Sequence, residues 1–449
     1  MARVAGNRPG AGLALRARAS QAVAATRGYP RNVYLLLLFT LGKGIQLSIG
    51  QVTLTLYAYS IGYKQDFVGL LVAVPAIGAL LAAIPIGFLA DRIPRKPLLL
   101  ITGLLNPVAL ALIGLTTNAP LMLSASFANG VLSSAYWVTI IPMLTDAVDA
   151  RRRVHVMSFN SFLLLGLGSL GGLIGGAIPE WVGAAMSLPA TAPLPLRWGV
   201  VAAAVAVFLP TLPLIWLTPL PAPEVVDAAD AAEAQDQLSV EPSEVAPGRR
   251  VRRARVARPS LRPIPLLFFL LLVPDVLYTA GEGAVSALEP LFFQLRFQMS
   301  PEGIGAVVAG GGVLVGVSAL AAPILTRSFG KLRVITVAQA LSAPAALLIG
   351  YAPLVWLSVV AELARNLLRG AFDPVYATFT MERVDARFRA RLSGFYSVTW
   401  SIGFSVGAAA SGWLQRNVNL SIGFLLGAIL LAVAPAWLLL AFARDPNAD

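Results

Sequence analysis

Cysteine is absent from the 449 residues and histidine occurs once. The first absence excludes disulfides, thiolate nucleophiles and cysteine-ligated metals, and leaves the redox compartment undetermined. The second leaves His155 unable to build a metal site or a catalytic triad alone; it follows Arg151, Arg152 and Arg153 in a charged connection and reads as a solvated residue. Charge is scarce as well, at 12% of residues against 57% hydrophobic. A soluble globular chain carries about twice that charge, so a soluble fold is excluded and a bilayer is the natural solvent. No glycine loop on a soluble domain, no nucleophile-base pair and no metal-spaced cluster stands out, so neither an enzyme nor a metal or cofactor is expected.

What is present is a series of long apolar runs. A hydrocarbon core about 30 Å thick takes about 20 residues of helix, and twelve such stretches are expected at 33–60, 67–90, 97–117, 120–144, 156–179, 198–218, 264–294, 303–326, 333–351, 353–379, 392–414 and 420–442. They lack the alternation of a barrel strand, and an open strand leaves backbone groups unsatisfied in lipid, so all are expected to be helices. The net charge of +12 is spread between the apolar runs and forms no basic face for nucleic acid. With both ends in the cytoplasm, 27 of the 34 lysines and arginines fall in cytoplasmic tails and loops, which is the positive-inside pattern. Trp181, Trp198, Trp216, Trp413 and Trp437 sit near span ends, as interface anchors do. Residues 1–30 read as a cytoplasmic tail, with no cleavable signal peptide expected, and 444–449 as a second tail. Residues 219–262 carry an acidic block and then an arginine block, the composition of a flexible linker. The domains are therefore expected at 31–218 and 263–443, six spans each.

The two halves align without a gap at an offset of 236. Asp66 and Gly69 match Glu302 and Gly305, and Arg95 matches Lys331. Asp149, Ala150, Arg151 and Arg153 match Asp385, Ala386, Arg387 and Arg389, and Phe159, Ser161, Gly171 and Gly176 match Phe395, Ser397, Gly407 and Gly412. A duplicated six-helix unit of this kind implies a pseudo-two-fold axis along the membrane normal. The loop after the second span runs Gly87, Phe88, Leu89, Ala90, Asp91, Arg92, Ile93, Pro94, Arg95, Lys96, similar to the G-x-L-a-D-R-x-G-R-K signature of the major facilitator superfamily, with Pro94 in place of the second glycine. Over 31–443 the chain resembles that family. The resemblance implies a twelve-helix, all-α membrane protein in two six-helix bundles. It also implies a cytoplasmic latch at Gly87, Asp91, Arg92 and Arg95, the arginines pairing with acids such as Asp146 or Asp149. Gly171, Gly172, Gly175 and Gly176 permit close helix approach and resemble the family's G-P-x-x-G-G antiporter motif with Gly172 for proline, whereas Ser126 stands where proton-coupled drug exporters carry an arginine.

Eight ionisable residues lie inside spans: Lys43 in span 1, Asp275, Glu282 and Glu289 in span 7, and Glu362, Arg365, Arg369 and Asp373 in span 10. Each costs about 2.5–3.5 kcal/mol at the bilayer centre, so they are expected to face protein or water. The heptad spacing of 275, 282 and 289 keeps them within about 40° of arc on a helix, and 362, 365, 369 and 373 share a stripe on which Glu362 pairs with Arg365 and Arg369 with Asp373. In the family that the chain resembles, spans 1, 4, 7 and 10 line the central cavity. Glu282, aligned with Gln46 by the repeat and close to Lys43, is the first candidate proton carrier, then Asp373 and Asp275; a structural ion-pair network is the alternative. Gln46, Gln51, Tyr57, Asn129, Tyr136, Trp137, Tyr278 and Tyr376 are candidate cavity residues. The expected function is alternating-access transport of a small organic solute by a monomer in the plasma (inner) membrane, coupled to protons and slightly favouring efflux of amphiphilic compounds. An importer or uniporter of a polar metabolite, and a non-transporting sensor or scaffold, are the alternatives.

Overall fold

The computed structural model describes residues 29–218 and 264–442; the tails expected at 1–30 and 444–449 and the linker at 219–262 lie outside the described residues, apart from Tyr29 and Pro30. Within them the chain forms helices and connecting turns. The spans are Arg31–Ser60, Gln65–Arg92, Arg95–Leu115, Ala119–Asp146, a composite fifth ending in Gly171–Met186, Pro193–Thr211, a divided seventh, Pro301–Phe329, Lys331–Tyr351, Val355–Arg383, Ala386–Asn417 and Ile422–Phe442. Ten helices are long and apolar enough to cross a membrane by length and composition alone. The tenth and eleventh, Val355–Arg383 and Ala386–Asn417, carry the ionisable stripe and the arginine box, and are 29 and 32 residues long. All twelve spans contain at least one proline or glycine inside the helix, as membrane helices tolerate where neighbours re-satisfy the backbone.

Two spans depart from the expected continuous helix. Span 5 runs as Ala150–Ser161, widens to a π turn over Phe162–Leu167, tightens to a 3-10 turn over Gly168–Leu170 and resumes as Gly171–Met186. Span 7 ends its first segment, Ile264–Ser286, and restarts as Glu289–Phe297. The heptad spacing of 275, 282 and 289 therefore does not describe one straight stripe, because Glu289 heads a new segment.

Packing follows the duplication. Span 1 packs on 5 and 6, span 2 on 4, and span 3 on 4 and 6; six positions later in the order, 7 packs on 11 and 12, 8 on 10, and 9 on 10 and 12. The ion pair Arg95–Asp146, at 2.6 Å, recurs 236 residues on as Lys331–Glu382. Spans 2 and 11, and spans 5 and 8, join the halves. These seams match as well: Ser169 Oγ donates to the Ala309 carbonyl at 3.3 Å, and Ser405 Oγ, 236 residues after Ser169, donates at 3.0 Å to the carbonyl of Ala73, 236 before Ala309. Both seams lie toward the face opposite the chain ends, here called the distal face. At its rim Arg416 pairs with Asp66, while the corresponding positions of the other seam hold two acids, Glu180 and Glu302.

Span 5 meets two neighbours through glycine. Gly171 and Gly175 lie against Ile45 and Ile49 of span 1, and Gly172 and Gly176 against Gly305 and Pro301 of span 8. A Cβ at Gly176 would stand 2.3 Å from the Pro301 carbonyl oxygen, so any side chain there wedges the seam. Near the face of the chain ends, Gly87 of span 2 and Gly394 of span 11 meet only open space. The halves are sealed at the distal face and part toward the other. Because the chain has no cysteine, paired substitutions read this directly: Ala73→Cys with Ser405→Cys should cross-link in most molecules on mild oxidation, and Gly87→Cys with Gly394→Cys should not.

A buried ion network at the parting of the halves

Spans 7 and 10 bring five of the eight expected ionisable residues into one network and a sixth to its edge. Arg365 is at its centre with a side chain 1% exposed. Its Nη1 donates to Glu282 Oε1 at 2.6 Å, and its Nε and Nη2 clasp both Glu362 oxygens at 2.9 Å. Glu289 Oε2 stands 4.0 Å from Nη2. Glu282, Glu289 and Glu362 are 7%, 4% and 3% exposed. Arg369 Nη1 reaches the other Glu282 oxygen at 3.2 Å, and its Nε lies 3.5 Å from Asp373 Oδ2. A guanidinium suits this task because its planar donors serve several carboxylates at once.

The network has a dry end and a wet end. Arg369 and Asp373 are 37% and 45% exposed although they lie inside span 10, and charge there is held in water, not lipid. The parting of the halves on this side offers room for it. Asp275 is not part of the ionic cluster; its carboxylate accepts a hydrogen bond from Thr399 Oγ1 of span 11.

Other candidates occupy different places. Lys43, expected beside Glu282, is buried and donates to Ser133 Oγ at 2.9 Å; the acids of its own half, Asp66, Asp91, Asp146, Asp149 and Glu180, all fall at or near span ends in the sequence. Asn106 joins the same serine and Asn129 to this nest. Gln46 is buried with its Oε1 unpartnered. Three aromatic residues expected in a cavity wall tie helices together instead: Tyr57 OH donates to the Gly114 carbonyl at 2.7 Å, Tyr376 OH to the Leu271 carbonyl at 2.9 Å, and Tyr136 OH to Thr40 Oγ1 at 3.3 Å. A buried phenol needs such a partner. Tyr278 is buried edge-on against Phe372, Gln51 is exposed, and Trp137, one turn on from Ser133, is exposed. Of the loop motif, Arg92 is exposed, Arg95 pairs with Asp146 inside its own half, and the Asp91 side chain lies outside the described residues. Residues missed in the sequence are Asn366, which donates to Glu362 at the network's edge, and Asn106, Asn160, Ser133 and Thr399. An asparagine inside an apolar span is itself a signal that a polar partner is near.

The family model for the Major Facilitator Superfamily matches residues 35–274 and 276–449. The chain belongs to the major facilitator superfamily. Among curated proteins, solute carrier family 22 member 2 of Rattus norvegicus is 34% identical over 106 residues, 23% of this chain and 19% of that protein. The multidrug resistance protein MdtL of Shewanella sp. (strain ANA-3) is 39% identical over 72 residues, 16% of this chain and 18% of that protein. The matched stretches thus span about a fifth of these relatives. A crystal structure of a mutant of the nucleoside transporter NupG superposes with a TM-score of 0.67 at 14% identity, over 92% of this chain and all of that one. A bacterial homologue of the human lysosomal transporter Spinster, inward-facing and occupied, gives 0.67 at 14%, over 92% and 94%. At such identities the likeness is one of fold alone; it is membership of the superfamily that makes the chain an integral membrane transporter and not an enzyme.

Removing one member of a buried charge pair strands the other, at about 3–5 kcal/mol. Arg365→Gln should therefore unfold far more readily than the parent in a thermal melt in detergent. Arg369→Gln, at the wet end, should cost about 1 kcal/mol or less. Equal losses in the two variants would contradict the division into dry and wet ends.

Proposed function

We propose that the chain is a secondary transporter working by alternating access, coupled to protons and moving a small organic solute, with efflux of amphiphilic compounds as its direction. The observation that carries this reading is the ion network of spans 7 and 10, enclosed at Arg365 and open to water at Arg369 and Asp373, at the parting of two halves joined on one face only. Buried charge that must be compensated when the halves reverse makes protonation and conformation interdependent. The partial likeness to a multidrug resistance protein and to a solute carrier supports a small-molecule cargo. In this reading the face of the chain ends is cytoplasmic, the membrane is the plasma (inner) membrane and the unit is a monomer. The domains remain those at 31–218 and 263–443, and Lys43, Asn129 and Trp137 belong to the first-half wall opposite the network.

Reconstitution in liposomes tests it with a panel of cationic amphiphiles, sugars and carboxylates, with and without a pH gradient. Gradient-driven accumulation of a cationic amphiphile is expected, reduced about tenfold or more by Asp373→Asn. Counterflow of a sugar or carboxylate indifferent to the gradient would move the assignment to an importer or uniporter of a polar metabolite. Absence of any flux across the panel would leave the sensor or scaffold.

A further inference from the structure

The network contains more carboxyl groups than it can hold as anions. Glu362 is clasped by both faces of the Arg365 fork, and Glu282 has one oxygen on Arg365 and the other on Arg369. Glu289 has neither: its nearest cation is Arg365, whose Nη2 already donates to Glu362 and stands 4.0 Å from Glu289 Oε2, beyond hydrogen-bond distance, and the Glu289 side chain is 4% exposed. It and the Glu362 carboxyl gather about the same atom, Arg365 Nη2, at 4.0 and 2.9 Å. Two carboxyl groups bond to each other only through a proton, since an ionised carboxylate is acceptor-only. With Glu289 neutral, the two enclosed carboxylates balance the two guanidiniums, and the remaining anion, Asp373, is the one in contact with water.

Nothing else packed around Glu289 supplies a counter-charge. On its own span it faces Glu282, with Tyr278 a turn further along. Span 10 contributes Glu362 and Arg365. Spans 1 and 8 pack against the Glu289–Phe297 segment; apart from Arg31 and Arg327 at their opposite ends, their charged residues are Lys43, bonded to Ser133, and Glu302, in the first turn of span 8, while Tyr59 and Glu180 line the distal cavity beside Gln294. Span 12 touches the segment through Phe424 on Phe292 and has no ionisable residue in 422–442.

We propose that Glu289, sharing its proton with Glu362, is the site at which this protein holds the transported proton, with Glu282 serving as the fixed anion that positions Arg365 and Arg369. This rests on the proton-coupled reading above. Loading adds one proton from water to a Glu289 oxygen, which then donates to Glu362; unloading returns it to water, and no other bond is made or broken. Place supports the assignment. Glu289 opens the distal segment of span 7, where the chain breaks at Ala287 and Leu288, and the positive pole of that segment suits the ionised form although Pro290 removes one of its N–H donors. Each charge state thus has a partner. The same segment lines a distal cavity of about 520 Å³ through Gln294, Leu295 and Gln298, so the proton site lies between that cavity and the wet end at Asp373.

Infrared spectroscopy of the purified full-length chain in lipid vesicles at neutral pH tests this without a substrate. The carbonyl stretch of a protonated carboxyl, identified by its shift in heavy water, should be present in the parent, vanish in Glu289→Gln and persist in Asp373→Asn. A band that survives in Glu289→Gln, or is missing from the parent, overturns the proposal. If Glu289→Gln does not fold, Glu289→Asp replaces it: a shifted band supports the assignment and an unshifted band overturns it. The two readings separate cleanly. A Glu289-dependent band in a chain that shows no gradient-driven flux leaves the proton site and removes the coupling, whereas gradient-driven flux with a Glu289-independent band does the reverse.

Discussion

One guanidinium at membrane depth sets the terms for the rest of the molecule. Arg365 cannot be enclosed alone, since an isolated charge in low dielectric is far more costly than any packing gain at that site. Its three carboxyl neighbours come from two spans, so spans 7 and 10 must lie together at that depth. Their shared demand for water at the far end, at Arg369 and Asp373, then requires that the halves part on that side. The tyrosine ties to backbone carbonyls and the serine bonds across the seams are minor beside this: each is a neutral hydrogen bond of roughly 1 kcal/mol, and they hold helices whose general placement apolar packing already favours.

Duplication supplies the frame on which this asymmetric chemistry sits. Helix neighbours, the braces Arg95–Asp146 and Lys331–Glu382, and the seam bonds of Ser169 and Ser405 recur at one offset. The charges do not. Lys43 is the first half's single interior charge and rests on a serine, while the second half gathers seven. The frame was copied; the chemistry was concentrated on one side of the pseudo-axis, so the first half acts as a wall against which the second half's network is wetted or sealed.

Much of this was legible in the sequence, for physical reasons that also mark where legibility ended. Twelve helices follow from length and apolarity, spans 10 and 11 among them despite their charge. The stripe at 362, 365, 369 and 373 follows from helical periodicity alone, and its local pairs are where spacing puts them. Periodicity failed at Glu289, since the spacing was carried through the break at Ala287 and Leu288 although Pro290, in the first turn of the restarted helix, marks a boundary there. It also could not separate a tyrosine lining a cavity from one such as Tyr57 or Tyr376, whose hydroxyl serves a neighbouring backbone. The Lys43 partner was misplaced because proximity in register says nothing about which side chain across a seam has a free acceptor.

Span 5 differs from its repeat counterpart in one respect that the duplication did not preserve. Span 11 is a continuous helix of 32 residues, whereas span 5 passes from α to π to 3-10 winding between Ser161 and Gly171. Changes of winding loosen the axial hydrogen-bond ladder and let a helix bend there. Of the four helices that form the seams, one is therefore compliant in the middle while its counterpart is a stiff rod. Under the alternating access proposed above, span 11 would travel only as a lever with the body it belongs to, but span 5 would keep its glycine face docked on span 8 while its other end swings, making the exchange a crank on one side and a rocker on the other.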